Sequence, residues 1–294
     1  MDVWWMQNLQ LAINGVSVGA IYALVAVGLV LTYKATEVLN FAHGDVLMLA
    51  AFIGWALISG LGWSFWLAVP LTVSLVAVGT YLLERGVMRR IAGQPQFAGV
   101  MLTIGLAFMI RGAVSMGFGP ESRKYETPFS GLTTRFGDLV IADLSLAIAG
   151  AVLLVTLALF VFLRKTAVGI AIQAASQDQL AAYLSGIRVK RLNSVVWGMS
   201  GGMAALAGLL LAPITLVDIS LWFVLLKSLA ALVLGGFGSA SGAILGGLLI
   251  GLIESFAGVY APGGIKDVAA YIVLIVVLVI YPRGLLGESH GKRV

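Results

Sequence analysis

Apolar and polar residues alternate along this chain on the scale of whole helices rather than single positions. Apolar runs cover about 9–33, 46–60, 63–83, 97–118, 144–163, 193–217, 220–235, 240–258 and 267–282. Most approach the roughly 20 residues that cross the hydrocarbon core of a bilayer as an α-helix. In lipid, the helix satisfies every backbone polar group within one segment. The pattern predicts an all-α polytopic membrane protein of about eight or nine transmembrane helices, forming one domain over 1–294. The runs at 46–60 and 220–235 are short, and the second ends at Gly235-Gly236, so either also reads as a half-helix or re-entrant segment.

The polar segments between the runs give a topology. The loop 84–96 sets Arg85, Arg89 and Arg90 against Glu84. The segment 164–191 sets Arg164, Lys165, Arg188, Lys190 and Arg191 against Asp178. Lysine and arginine mark cytoplasmic loops, so both face inward, as does the C-terminal ESHGKRV. The loop 119–143 carries Glu121, Glu126, Asp138 and Asp143 against three bases and faces outward. These assignments put the N-terminus outside and the C-terminus in the cytoplasm. The start, MDVWWMQNLQ, lacks the basic region of a cleavable signal peptide, and Trp4 and Trp5 read as interface anchors.

Composition closes off other classes. Hydrophobic residues make up 60% and charged residues 11%, against about 25% charged in soluble domains. The absence of cysteine excludes disulfides, thiolate metal sites and cysteine nucleophiles. Glycine, at 37 residues, suits helices that pack closely in lipid. The formal charge of +5 follows from the basic inner loops and implies no nucleic-acid partner. No cofactor or metal site is expected.

Gly15, Ser17 and Gly19 form G-x-S-x-G, the spacing of an esterase nucleophile elbow. That elbow needs a strand-to-helix turn with His and Asp partners. Inside an apolar run the small residues read as a helix-packing face instead. Gly198, Ser200 and Gly202 repeat the pattern, a weak sign of an internal repeat such as transporters carry.

Between two apolar runs, EVLNFAHGDVLMLAAF groups Asn40, His43 and Asp45 around Gly44. Two metal ligands are too few for a site. A proton relay or pathway position is one reading, because ionisable groups in membranes mark pathways. The other is structural: Asn40 and Asp45 cap helix ends, and His43 bonds a backbone carbonyl.

The Ala-rich stretch between Arg164 and Arg191 predicts a short helix that stops at Ser185-Gly186. Such a helix at the membrane surface is either an ordinary basic loop or a docking handle. Its core, AASQDQLAAYLSGI, resembles the coupling loop of ABC-importer permeases. LNFAHGD resembles, almost letter for letter, the signature of the branched-chain amino-acid permease family of the LivH type. The glycine-rich run 226–255 resembles that family too.

The resemblance extends over nearly the whole chain, with the three blocks in family order. It implies a single permease domain that forms the pathway for branched-chain or related small neutral amino acids in the bacterial cytoplasmic membrane. It also implies three kinds of partner: a second related permease, two cytoplasmic ATPase subunits and an external substrate-binding protein docking near 119–143. The ATPase-coupling residues carried over are Ala174, Gln177, Asp178, Ala181, Ala182 and Gly186. The family commonly has Arg where this chain has Ile170 and Gln173, so this docking surface is less charged.

Gly235, Gly236, Gly238 and Gly242 read as a flexible turn, since no G-K-[ST] follows as in a phosphate loop. Gly242/Gly246 and Gly247/Gly251 repeat a small-residue spacing. Counting 1.5 Å per residue puts Lys227 and Glu254 at similar depth in the outer half of the membrane, a candidate charge pair. Arg111 is a rival for the single acid, and snorkelling to the interface is an alternative for each.

Three competing functions remain. A urea or short-amide permease has very similar motifs. An ion-driven secondary transporter would want more charges deep in its spans. An intramembrane enzyme needs a nucleophile, base or metal set, and no residue here has two such partners.

Overall fold

The computed structural model describes residues 2–286, apart from 92, 138, 263, 282 and 283. The C-terminal run ESHGKRV, assigned to the cytoplasm above, lies outside the described residues. The helices are α1 (Asp2–Thr36), α2 (His43–Trp55), α3 (Phe65–Gly86), α4 (Gln96–Phe118), α5 (Asp143–Lys165), α6 (Ala167–Gln177), α7 (Gln179–Leu184), α8 (Val189–Thr215), α9 (Val224–Gly235), α10 (Ala240–Tyr260) and α11 (Ile265–Ile280). A π-helical turn, Ala56–Gly60, prolongs α2, and a 3₁₀ turn, Ile219–Phe223, precedes α9.

Each of the nine apolar runs is a helix. Among the described residues, seven helices are long and apolar enough to cross a membrane. The other two runs are the short helices α9 and α11, of 12 and 16 residues. The run at 46–60 reaches spanning length only through its π-helical turn, as His43–Gly60.

The chain forms two compact units, one of Met1–Val30, Phe129–Val152 and Leu226–Val294, the other of Leu31–Pro128 and Leu153–Leu225. In the first unit, α1 and α10 meet backbone to backbone. A Cβ at Gly19 would lie 2.8 Å from the Gly247 carbonyl oxygen, and one at Gly15 would lie 2.9 Å from the Leu252 Cα. Ser17 sits inside this helical face and donates to the Ile13 carbonyl at 3.0 Å, with no elbow geometry. Gly19→Leu is therefore expected to lower stability by about 3 kcal/mol, since the obstruction is main chain that no rotamer relieves. A reduced melting temperature and poor assembly, with unchanged substrate preference, is the expected pattern. A stable assembled protein with altered preference would instead make this face a pathway wall.

Residues 133–142 hold an element the hydropathy pattern did not suggest, an antiparallel hairpin of β1 (Thr133–Phe136) and β2 (Leu139–Ala142). Gln10 of α1 donates to the Val140 carbonyl at 2.9 Å. In the same unit, the last carbonyls of α9 are met from a distant part of the chain. Leu285 N–H donates to the Leu234 oxygen at 2.8 Å, and Leu286 N–H to the Gly235 oxygen at 2.9 Å.

In the second unit α8 is the central helix, packed on α3 and α2. Small residues allow this. A Cβ at Gly198 would lie 3.1 Å from the Ala77 oxygen, whereas one at Gly202 would meet only Ala77 and Val73 side chains, at 3.5 and 3.6 Å. Of this second glycine pair, only Gly198 makes the close contact that the spacing suggested. The segment 119–128 is fastened to the end of α8. Arg123 pairs with Val217 in a β-bridge, the Tyr125 hydroxyl donates to the Leu209 carbonyl, and the Ser122 hydroxyl donates to Asp218. Those donors, Ser122 first and then the Ser220 N–H, hold the Asp218 carboxyl below the usual carboxylate range.

Candidate functional site

Helix α1 ends where Glu37 takes a positive φ of 56°, a conformation that costs a side-chain-bearing residue about 1 kcal/mol. Glu37 N–H still bonds the Tyr33 carbonyl at 2.7 Å, and residues 38–42 then lie outside either helix until α2 begins at His43. Asn40 organises the restart. Its Oδ1 accepts from Ala42 N–H at 3.1 Å, and its carbonyl accepts from His43 N–H at 3.2 Å. Thr103 of α4 serves the freed backbone, accepting from Phe41 N–H at 3.3 Å. Interrupted helices in membranes need such partners.

This break lies well inside the bundle. Thr103 is seven residues along α4, about 10 Å from its start. Ser200, whose hydroxyl is 3.3 Å from His43 Nδ1, is eleven residues along α8, about 16 Å. A Cβ at Gly44 would lie 2.5 Å from the Trp222 carbonyl oxygen, so glycine alone lets the start of α2 approach that turn.

Asp45 does not cap a helix end, and His43 bonds a serine rather than a backbone carbonyl. Asp45 is fully buried and takes both arms of Arg111, from Nε at 2.9 Å and from a terminal nitrogen at 3.2 Å. A buried carboxylate and a half-buried guanidinium of opposite charge, in bidentate geometry, satisfy one another. The guanidinium also lies 3.9 Å from the Trp222 ring centroid and 5.4 Å from that of Phe108. Asn40, His43, Gly44 and Asp45 are all buried, and the accessible side of the cluster is Phe108, Arg111 and Trp222. These three carry no motif; Arg111 was legible only as an intramembrane charge.

In the first unit, Lys227 Nζ lies 2.7 Å from Glu254 Oε1, and the Tyr22 hydroxyl donates to Glu254 Oε2 at 2.7 Å. Asp267 stands 3.5 Å from the same ammonium group. Arg111 takes its carboxylate partner from Asp45, not Glu254.

The segment expected to hold one short helix holds two, α6 and α7, with the corner at Asp178. That residue ends α6 and caps α7, its Oδ1 accepting from Ala181 N–H at 2.9 Å. Thr166 caps α6 through Gly169 N–H at 3.0 Å. Ala182 is buried, Ala174 half-buried, and Gln177, Asp178, Ala181 and Gly186 exposed. Gly186 has φ 84° and closes α7 as a Schellman turn. Its N–H bonds the Tyr183 oxygen at 2.9 Å, and Ile187 N–H bonds the Ala182 oxygen at 3.0 Å, the pairing that meets the last helix carbonyls.

Ile170, Leu180, Tyr183 and Leu184 are exposed on these two helices, Leu184 to 76%. An exposed apolar cluster of this kind marks a contact with protein or membrane. Gln179 ties α7 inward, donating from Nε2 to the Ala35 carbonyl, 2.9 Å away on the last turn of α1. Beneath lies a polar crevice of about 550 Å³, whose lining includes Lys34, Glu37, Arg89, Asp178 and Asn193. Arg89 bridges Glu84 of α3, at 3.3 Å, and the carbonyl of Lys190 at the start of α8, at 2.8 Å. Neither Gln179 nor the bridge from Arg89 to α8 stands out in the sequence, because their partners, Ala35 and Lys190, lie 144 and 101 residues away.

Residues 11–279 match the family described as "Branched-chain amino acid transport system / permease component". The chain is 30% identical to the high-affinity branched-chain amino acid transport system permease protein LivH of Escherichia coli K12, over the full length of both. It is 30% identical to the corresponding protein BraD of Pseudomonas aeruginosa, covering 97% of this chain and 98% of that one. A probable LivH of Methanocaldococcus jannaschii is 27% identical over 92% of this chain and 89% of its own length. The fold is similar to a solved structure, PsaBC from Streptococcus pneumoniae in complex with Fab. The TM-score is 0.52 at 14% identity, covering 96% of this chain and 97% of the other.

Proposed function

Because this chain belongs to the family of permease components of branched-chain amino acid transport systems, we propose that it forms half of an ABC importer's pathway for branched-chain or related small neutral amino acids. Its partners in this reading are a second related permease, two cytoplasmic ATPase subunits and an external binding protein that delivers substrate near 119–143. The protein sits as one permease domain in the bacterial cytoplasmic membrane, N-terminus outside. It makes and breaks no covalent bond; the work is alternating access driven by the ATPases.

The observation that carries this reading is the route from α7 to the helix break. The apolar face of Ile170, Leu180, Tyr183 and Leu184 receives the ATPase. Ala174, Gln177, Asp178, Ala181 and Ala182 shape that face, and Gly186 sets its exit. Motion of α7 reaches the end of α1 through Gln179 and the Ala35 carbonyl. The break at 37–42 follows directly, and beyond it Asp45 holds Arg111. Asn40, His43 and Gly44 then support the pathway wall from behind, while Phe108, Arg111 and Trp222 face it.

Labelled leucine uptake in cells lacking their own branched-chain importer tests the function, with the permease pair, ATPases and binding protein supplied together. Uptake that needs ATP and the binding protein is expected. Transport of urea in place of leucine would shift the substrate class, and uptake without ATPases, abolished by an ionophore, would indicate an ion-driven carrier. Gly186→Val tests the coupling. A β-branched residue at φ 84° costs at least about 1 kcal/mol and redirects the exit of α7. ATP hydrolysis should continue while uptake falls, and Gly186→Asn, which tolerates that φ, should retain more uptake. Normal uptake in Gly186→Val would remove Gly186 from the coupling path.

A further inference from the structure

We propose that the groove between α3, α5 and α8 in the second unit binds one anionic phospholipid of the leaflet nearest the basic loops. The proposal rests on the permease reading only in that the chain spans a membrane. The groove is open along its length, has a volume of about 660 Å³, and its lining is almost wholly apolar. Pro70, Val73 and Ala77 of α3, Ala158 of α5, and Gly202 and Leu206 of α8 form much of it. Gly202 contributes no side chain, which leaves the floor open.

Its length selects the occupant. On α3 the lining runs from Tyr81 to Pro70, and on α8 from Val195 to Leu206, in each case about 16 Å along the helix. One leaflet of the hydrocarbon core is about 15 Å deep. A helix of a neighbouring subunit would need the full ~30 Å, so the groove fits an acyl chain.

Charge selects the head group. The groove ends at Tyr81, Phe162 and Val195, and one helical turn beyond each stands a cation: Arg85, Lys165 and Arg191. Spacings of three or four residues put each cation on the groove's face of its helix. All three are exposed, and none has an ion-pair partner among the described residues. The neighbouring acid, Glu84, is buried and engaged by Arg89 and Ser194. Cations converging at the membrane surface attract anionic head groups.

The test is lipid retention, read without any transport assay. The purified permease complex is exchanged into mixed phosphatidylglycerol and phosphatidylcholine, delipidated, and weighed by native mass spectrometry. Retention of phosphatidylglycerol at least tenfold over phosphatidylcholine is expected. R85Q/K165Q/R191Q should reduce that preference to less than threefold, and Ala158→Phe, which fills the groove, should reduce retention of both lipids. If the triple variant does not fold, each single variant should lower the preference about twofold. Equal retention of the two lipids, or retention indifferent to all variants, overturns the proposal. The chain has no cysteine, so Ala158→Cys gives a unique cross-linking site. Cross-linking to a second permease chain there would make the groove a subunit seam and also overturn it.

Discussion

Asp45→Ala is expected to destabilise the protein by about 3–5 kcal/mol, the cost of leaving one partner of a buried ion pair alone. Asp45 has no exposed surface and Arg111 keeps 23% of its side chain accessible. Solvent therefore reaches the guanidinium from its outer side only and replaces the lost carboxylate in part, which puts the loss at the lower end of that range. The melting temperature of the solubilised protein should fall well below that of the parent, and uptake should be lost with it. Asp45→Leu combined with Arg111→Met separates structure from function. Apolar replacement of both partners of a buried pair is often neutral or stabilising, so the double variant should melt near the parent temperature. If it also transports normally, the pair is only a brace. Restored stability without transport would leave the guanidinium facing Trp222 and Phe108 with a role in the pathway.

The second large effect is expected at Glu254. Glu254→Gln retains a bond to Tyr22 but removes the charge opposite Lys227, at a cost of about 3 kcal/mol. Lys227→Glu with Glu254→Lys should recover part of the loss. Full recovery is not expected, because a carboxylate at 227 would face Asp267, whose Oδ1 is 3.5 Å from the native ammonium. Adding Asp267→Asn to the reversed pair should therefore raise stability further. Arg111→Gln should add its own loss independently, as changes at separate networks do. A double reversal no better than the worse single change, with no gain from Asp267→Asn, would mean that the Lys227–Glu254 contact contributes nothing. Non-additivity with Arg111→Gln would mean that the two networks are coupled.

How far the sequence could be read differs from one part of the chain to another. Apolar runs report helices, because in lipid length and hydropathy are the constraint. That reasoning placed a helix in each apolar run, seven of them long enough to cross a membrane among the described residues rather than eight or nine. It missed the hairpin at 133–142, whose strands are four residues each and carry too little periodicity. The polar group at 40–45 was visible as an interruption. That its backbone would be met by Thr103, and its histidine by Ser200, depends on which helices pack together. The same limit explains Arg111. Counting residues along a helix gives height in the membrane but not the direction a side chain faces. Height alone left Arg111 a rival for Glu254, while its direction gives it to Asp45. The end of α7 was legible because Ser185-Gly186 encodes it locally; the corner at Asp178 was not, since an Ala-rich stretch runs through it without a glycine or proline.

The far end of α9 carries a consequence for how the protein is made. Its carbonyls at 234 and 235 receive their donors from residues 285 and 286, which leave the ribosome some fifty residues later. Leu234 is buried, and a buried carbonyl without a partner is costly. Helix α9 and the turn into α10 therefore enter the membrane with an unfinished end that only later synthesis can close. A helix short enough to need a strap from elsewhere thus ties the order of translation to the order of assembly.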